Sequence, residues 1–134
     1  MVEIKSNKST ISKGAVEVFN YLSIPANYQV LMPSKVRSFE ATDDTAKLDI
    51  EGIGSVELAI TERNSPTTII MVPQNKVPFK FDIHWNIVAI DANTSEVEAI
   101  INADLNFMMK MMAEKLLADF LNGQVHKLSE YLKG

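Results

Sequence analysis

The stretch from Asp104 to the C-terminus constrains this chain more than any other. It reads DLNFMMKMMAEKLLADFLNGQVHKLSEYLKG. Leu105, Met109, Met112, Leu116 and Phe120 recur at steps of three and four, and Leu117, Leu121, Val125, Leu128 and Leu132 continue the pattern. That spacing predicts one long helix with a wide apolar stripe. Asp104 is the expected N-cap and Lys133-Gly134 the expected last turn. About 28 residues at roughly 1.5 Å each give a rod on the order of 40 Å long. Such a rod cannot bury its stripe alone. The rest of the chain must supply a surface of similar length, and a curved sheet around the helix, with a cavity between them, is the expected solution.

The first half of this helix is unusual. From Leu105 to Met112 only Asn106 and Lys110 are polar, and Met108 and Met111 project away from the main stripe. Three readings are open. This half is buried all round beneath loops, its unbranched, polarizable methionines line an adaptable cavity or its mouth, or it is a partner surface, with a homodimer through Met108 and Met111 as one form.

Upstream, Val2 and Ile4 alternate in a first strand that runs on to Ile11. Ser12 is the expected cap of a short helix, AVEVFNYLS, which Ile24-Pro25 breaks, because the residue before proline is pushed out of helical geometry. Pro25 then suits the first position of a second short helix, PANYQVLM, ended by Pro33. Six strand-like runs follow, rich in β-branched and aromatic residues: VRSFEAT, TAKLDI, SVELAITE, TTIIMV, FKFDIHWNIVAI and SEVEAIINADL. The turns between them are too short for helical crossovers, so the sheet is expected to be antiparallel. In the fifth run, Phe79, Phe81, Ile83, Trp85 and Ile87 share one face, and Lys80, Asp82, His84 and Asn86 the other. The last run answers with Val97, Ala99, Ile101 and Ala103 inward. Small alanines opposite large aromatics leave space unless the helix fills it.

The segment STISKGAVEVFNYLSIPANYQVLMP resembles the opening of the START-like superfamily (SRPBCC), which includes polyketide cyclases, birch-pollen-allergen-like proteins and lipid-transfer domains. Ile11, Val18, Phe19, Pro25 and Pro33 hold the positions that carry the likeness, and the run from Trp85 through Thr94 to Val97 is similar to the superfamily's C-terminal half. One departure is Tyr28, where members often carry tryptophan. The resemblance covers nearly the whole chain, 1–134, as one START-like domain. It implies an α+β helix-grip fold: seven antiparallel strands in a curved sheet, two short helices, and a long C-terminal helix clasped around an apolar cavity. Leu31, Phe81, Ile83, Trp85, Met108 and Met112 are the candidate ligand-binding residues, with Leu31 at a rim; the competing reading is that all six are plain core.

Composition narrows the function. The formal charge of −4 argues against nucleic acid, which rewards basic patches. The opening MVEIKSNK has no apolar core, and no apolar run approaches membrane-spanning length, so a cytoplasmic protein without an integral membrane segment is expected. The sequence holds no cysteine, which removes thiol nucleophiles and thiolate metal sites together. His84 and His126 lie on polar faces and do not pair at metal-ligand spacing. There is no nucleophile elbow, and Gly52-Ile53-Gly54 reads as a hairpin turn rather than a phosphate cradle. No catalytic constellation, metal site or cofactor is therefore assigned, and no polar residue is expected to point inward. Three functions remain open: a carrier of a small hydrophobic molecule such as a lipid or polyketide-like compound, a cyclase- or dehydratase-type enzyme using the same cavity, and a protein-interaction module.

Overall fold

β-branched and aromatic residues alternate with polar ones through the middle of the chain, and the computed structural model shows them paired as one antiparallel sheet. It describes residues 1–133. The elements are β1 (Val2–Lys5), β2 (Ser9–Ile11), α1 (Ala15–Leu22), a 3-10 helix (Pro25–Leu31), β3 (Val36–Ala41), β4 (Thr45–Ile50), β5 (Gly54–Asn64), β6 (Thr68–Pro73), β7 (Phe81–Asp91), β8 (Thr94–Ala103) and α2 (Phe107–Tyr131). The strand order is β1-β8-β7-β6-β5-β4-β3, with β2 also on β8. Every pairing is antiparallel, as expected for strands joined by short turns.

The expected first strand is interrupted. Ser6, buried between β1 and β2, donates its N–H to the Ala99 carbonyl at 2.8 Å. Its hydroxyl accepts the Ala99 N–H at 2.9 Å. One serine thus satisfies both backbone groups of Ala99, and the strand restarts at Ser9. The hydrophobic pattern does not register this, because the interruption is a hydrogen-bond substitution rather than a change of face.

Glycine is required at two positions of the β4–β5 hairpin, where Gly52 in the turn and Gly54 at the start of β5 have φ of 90° and 105°. Gly14 is the N-cap of α1, and no side chain caps that helix. A Cβ at Gly14 would collide with the Ala92 carbonyl, so the close approach of α1 to the β7–β8 turn decides this position. Ser12 therefore does not play the capping role its type suggested. The expected second short helix is a 3-10 helix, with Pro25 at its start.

α2 crosses the concave face. Its backbone packs against β1, β2, β8 and the 3-10 helix. Two hydrogen bonds pin it from opposite sides: Asn122 Oδ1 accepts the Asn7 N–H at 2.7 Å, and Lys127 Nζ donates to the Met32 carbonyl. Its cap is Asn106, not Asp104, with Oδ1 accepting the Met109 N–H at 2.8 Å.

The buried positions of α2 are Leu117, Phe120, Leu121, Gln124, Val125 and Leu128, all in its C-terminal two thirds. The N-terminal turns are not covered by loops. Phe107, Met108, Met111 and Met112 are 79%, 71%, 72% and 77% exposed. At about 100° per residue, their face lies opposite the one that carries Leu117, Gln124 and Leu128. Met109 and Ala113 point inward instead and are half-buried.

Candidate functional site

β7 carries the centre of the concave wall. Ile83, Trp85 and Ile87 alternate inward and are buried, and in register Ala99 of β8 lies opposite Trp85 while Ala103 lies opposite Phe81. The alanines make room for the large rings, and α2 closes the space from the other side with Phe120 and Gln124.

Trp85 is fully buried. Tyr28, from the 3-10 helix, meets it edge to face, with ring centroids 6.1 Å apart and planes at 66°. The Tyr28 hydroxyl is satisfied, donating to the Leu22 carbonyl at 2.7 Å. Burial pushes its pKa far above the ordinary tyrosine value, so it stays a neutral donor. The position that departs from the superfamily's tryptophan is thus a structural post for the wall.

The indole Nε1–H of Trp85 has no such partner; it is the one fully buried side-chain nitrogen or oxygen among the described residues without a hydrogen bond. An unmade hydrogen bond of this kind costs about 1–3 kcal/mol. Trp85 also lines a void of about 10 Å³, together with Tyr28, Met71, Phe120 and Gln124 among others. That volume is near the lower limit for one water molecule. Gln124, 4% exposed, is among the residues on the wall of this void.

Two further spaces continue outward. One of about 30 Å³ is lined by Phe79, Phe81, Ile83, Leu117 and Phe120, with no polar side chain on its wall. A mouth of about 150 Å³ opens between Pro33, Lys35, Ile53, Leu116, Asp119 and Phe120. Phe120 is the residue that borders all three. A drug-sized ligand fills roughly 300 Å³ or more, so occupation of the interior requires Phe120 to move.

The structure brings together three of the six candidate residues: Ile83 and Trp85 at the inner void, and Phe81 with Ile83 at the middle one. Leu31 is fully buried in the core rather than at a rim. Met108 and Met112 are not on the wall; they face away from it, because the inward stripe of α2 passes through Met109 and Ala113. Sequence reasoning missed Phe120 as the residue common to the three spaces and Gln124 as an inward polar group. The signal was present: Leu117, Leu121, Gln124 and Leu128 follow helical spacing, so the glutamine occupies a stripe position.

Both histidines lie away from these spaces. On the outer face, His84 Nε2 is 3.1 Å from Asp82 Oδ1, which also accepts Asn102 Nδ2 at 3.1 Å. His126 pairs with Glu130 on the exposed side of α2. No group of three or more His, Asp or Glu among the described residues is placed to hold a metal ion. No helix among the described residues is long and apolar enough to cross a membrane.

No protein-family model and no curated protein matches the sequence. Solved structures do match over the length of the chain. The protein XoxI from Bacillus cereus is similar with a TM-score of 0.76 at 13% identity, covering 98% of this chain and 96% of that one. A norcoclaurine synthase point mutant from Thalictrum flavum, in complex with a transition-state analogue, has a TM-score of 0.78 at 9% identity, covering 98% and 93%. A START superfamily protein from Mycobacterium smegmatis has a TM-score of 0.65 at 16% identity, covering 94% and 98%. The chain has the START-like helix-grip fold. At these identities, fold is what is shared.

Proposed function

We propose that this protein binds a small, mainly hydrophobic molecule between Trp85 and α2, and that Phe120 swings aside to admit it. The observation that carries this is the set of three neighbouring spaces that share Phe120, the inner and middle ones walled almost wholly by apolar side chains. A purely structural core gains nothing from such a set, since interiors pack to crystal-like density. The solved structures of the same fold include norcoclaurine synthase from Thalictrum flavum in complex with dopamine and hydroxybenzaldehyde, which supports small-molecule binding by the fold. Apolar side chains dominate the inner and middle spaces, which suits binding of an apolar body.

Trp85 is the only tryptophan, so its emission reports the interior. Adding lipids and flat aromatic compounds is expected to give saturable quenching or a spectral shift together with a higher melting temperature. A ligand at 100 times its dissociation constant adds about 2.7 kcal/mol. Phe120→Ala joins the spaces. It should bind such compounds more tightly than the natural chain while losing about 3–5 kcal/mol of stability. A broad panel that moves neither signal in either protein would remove this reading.

A second reading is favoured by Phe107, Met108, Met111 and Met112, four exposed apolar side chains on one helix face. We infer a homodimer in which this face packs on itself about a two-fold axis. Sedimentation should then show a concentration-dependent dimer that Met111→Glu abolishes. A monomer at all concentrations would discard it.

A further inference from the structure

The interior offers more than apolar surface. Trp85 Nε1–H is a donor with nothing to accept it, and Gln124 of α2 lines the same void as Trp85 of β7. These two residues come from elements far apart in sequence, yet border one inner space. Their chemistry is specific. An indole donates only, and a primary amide can donate beside it. A carbonyl oxygen has two lone pairs and can accept from both.

Among the described residues no lysine, arginine, histidine or carboxylate lines the inner or middle space, whereas Lys35 and Asp119 line the mouth. Lys127 comes near the inner space only by donating to the Met32 carbonyl, so its charge is already engaged. An ionised head group there would be buried without a counter-charge, which is strongly disfavoured. A hydrocarbon end would leave the indole N–H unpaired, as it is now.

We propose that the site selects an uncharged carbonyl compound, a ketone, aldehyde or ester with an apolar body, which enters carbonyl end first and accepts hydrogen bonds from Trp85 Nε1 and Gln124 Nε2. This rests on the binding reading above and names the class of molecule it takes. The hydrophobic body occupies the space vacated by Phe120 toward the mouth, and the carbonyl fixes its direction.

The test uses three probes with the same ring system and equal numbers of non-hydrogen atoms: 2-acetylnaphthalene, 2-isopropylnaphthalene and 2-naphthoate. Calorimetry on the full chain is expected to show the ketone binding at least about tenfold tighter than either of the others, as one added hydrogen bond to a buried donor implies. The single indole N–H resonance should move downfield with the ketone and not with the hydrocarbon. Trp85→Phe keeps an aromatic ring and removes the donor, and should bring ketone and hydrocarbon within about threefold of each other; Gln124→Leu should narrow the gap in part. If Trp85→Phe does not fold, the indole resonance of the natural chain and Gln124→Leu decide. Equal affinities for ketone and hydrocarbon with an unmoved indole resonance would overturn the carbonyl inference while leaving hydrophobic binding intact. Tighter binding of the naphthoate would overturn it as well. Failure of all three probes to bind would remove the binding reading itself, and this inference with it.

Discussion

The two halves of α2 share one helix and differ in what holds them. From Leu117 to Leu128 the stripe is buried, with Leu121 and Leu128 fully so, and it is pinned by Asn7–Asn122 and Met32–Lys127 contacts. From Phe107 to Met112 the apolar residues face water. What remains there is a capping bond from Asn106, the half-buried Met109 and Ala113, and an exposed Lys110–Glu114 pair at 3.6 Å. An exposed pair of this kind contributes a few tenths of a kcal/mol. The comparison teaches that apolar content does not measure burial. Leu105–Met112 is the more hydrophobic half, and it is the less covered.

The sharpest way to break that comparison is one substitution made in each half. Leu121→Glu and Met111→Glu introduce the same residue, itself a good helix former, so helix propensity is nearly constant between them. Leu121→Glu buries a carboxylate without a partner and should cost about 4 kcal/mol or more, enough to unfold a typical domain of marginal stability. Met111→Glu should stay within about 0.5 kcal/mol. Denaturant midpoints measure both. Equal losses would mean that the N-terminal half is as firmly packed as the rest.

Much of the fold was legible in the sequence because it rests on period. The strict alternation through Ile83, Trp85 and Ile87 settles which face of β7 is buried, and short turns settle the antiparallel order. The expected seven strands are present, the first of them split at Ser6. What was not legible depends on contacts between distant segments. The Ala92 carbonyl decides Gly14, and Ala99 decides Ser6; neither neighbour is visible along the chain. The direction of the helix face was also misjudged at its N-terminal end. Four methionines with only Asn106 and Lys110 between Leu105 and Met112 leave little polar side to orient the stripe, so the pattern points Met112 inward although Met109 and Ala113 hold that line. The candidate site suffered from the same cause. Half of it, Phe81, Ile83 and Trp85, comes from the strand with a clean period, whereas the helix contribution, Phe120 and Gln124, lies in the other half of α2, where the glutamine interrupts an otherwise apolar stripe.

A smaller effect should distinguish a helix with two independent halves from one that is a single unit. Asn106 caps α2 through one hydrogen bond to the Met109 N–H, and no acidic residue sits in the first turn to assist it. Asn106→Ala removes that acceptor, at an ordinary cost of about 1 kcal/mol. If the exposed half is held mainly by this cap, the loss is confined to it. Amide exchange should quicken from Phe107 to about Ala113, while the global denaturation midpoint shifts by less than the full cost, because the first turns fray before the core opens. The amides from Leu121 to Leu128 should keep their protection. If instead the global midpoint falls by the whole amount and exchange rises evenly along α2, the two halves fold as one, and the contrast in burial between them has no counterpart in local stability.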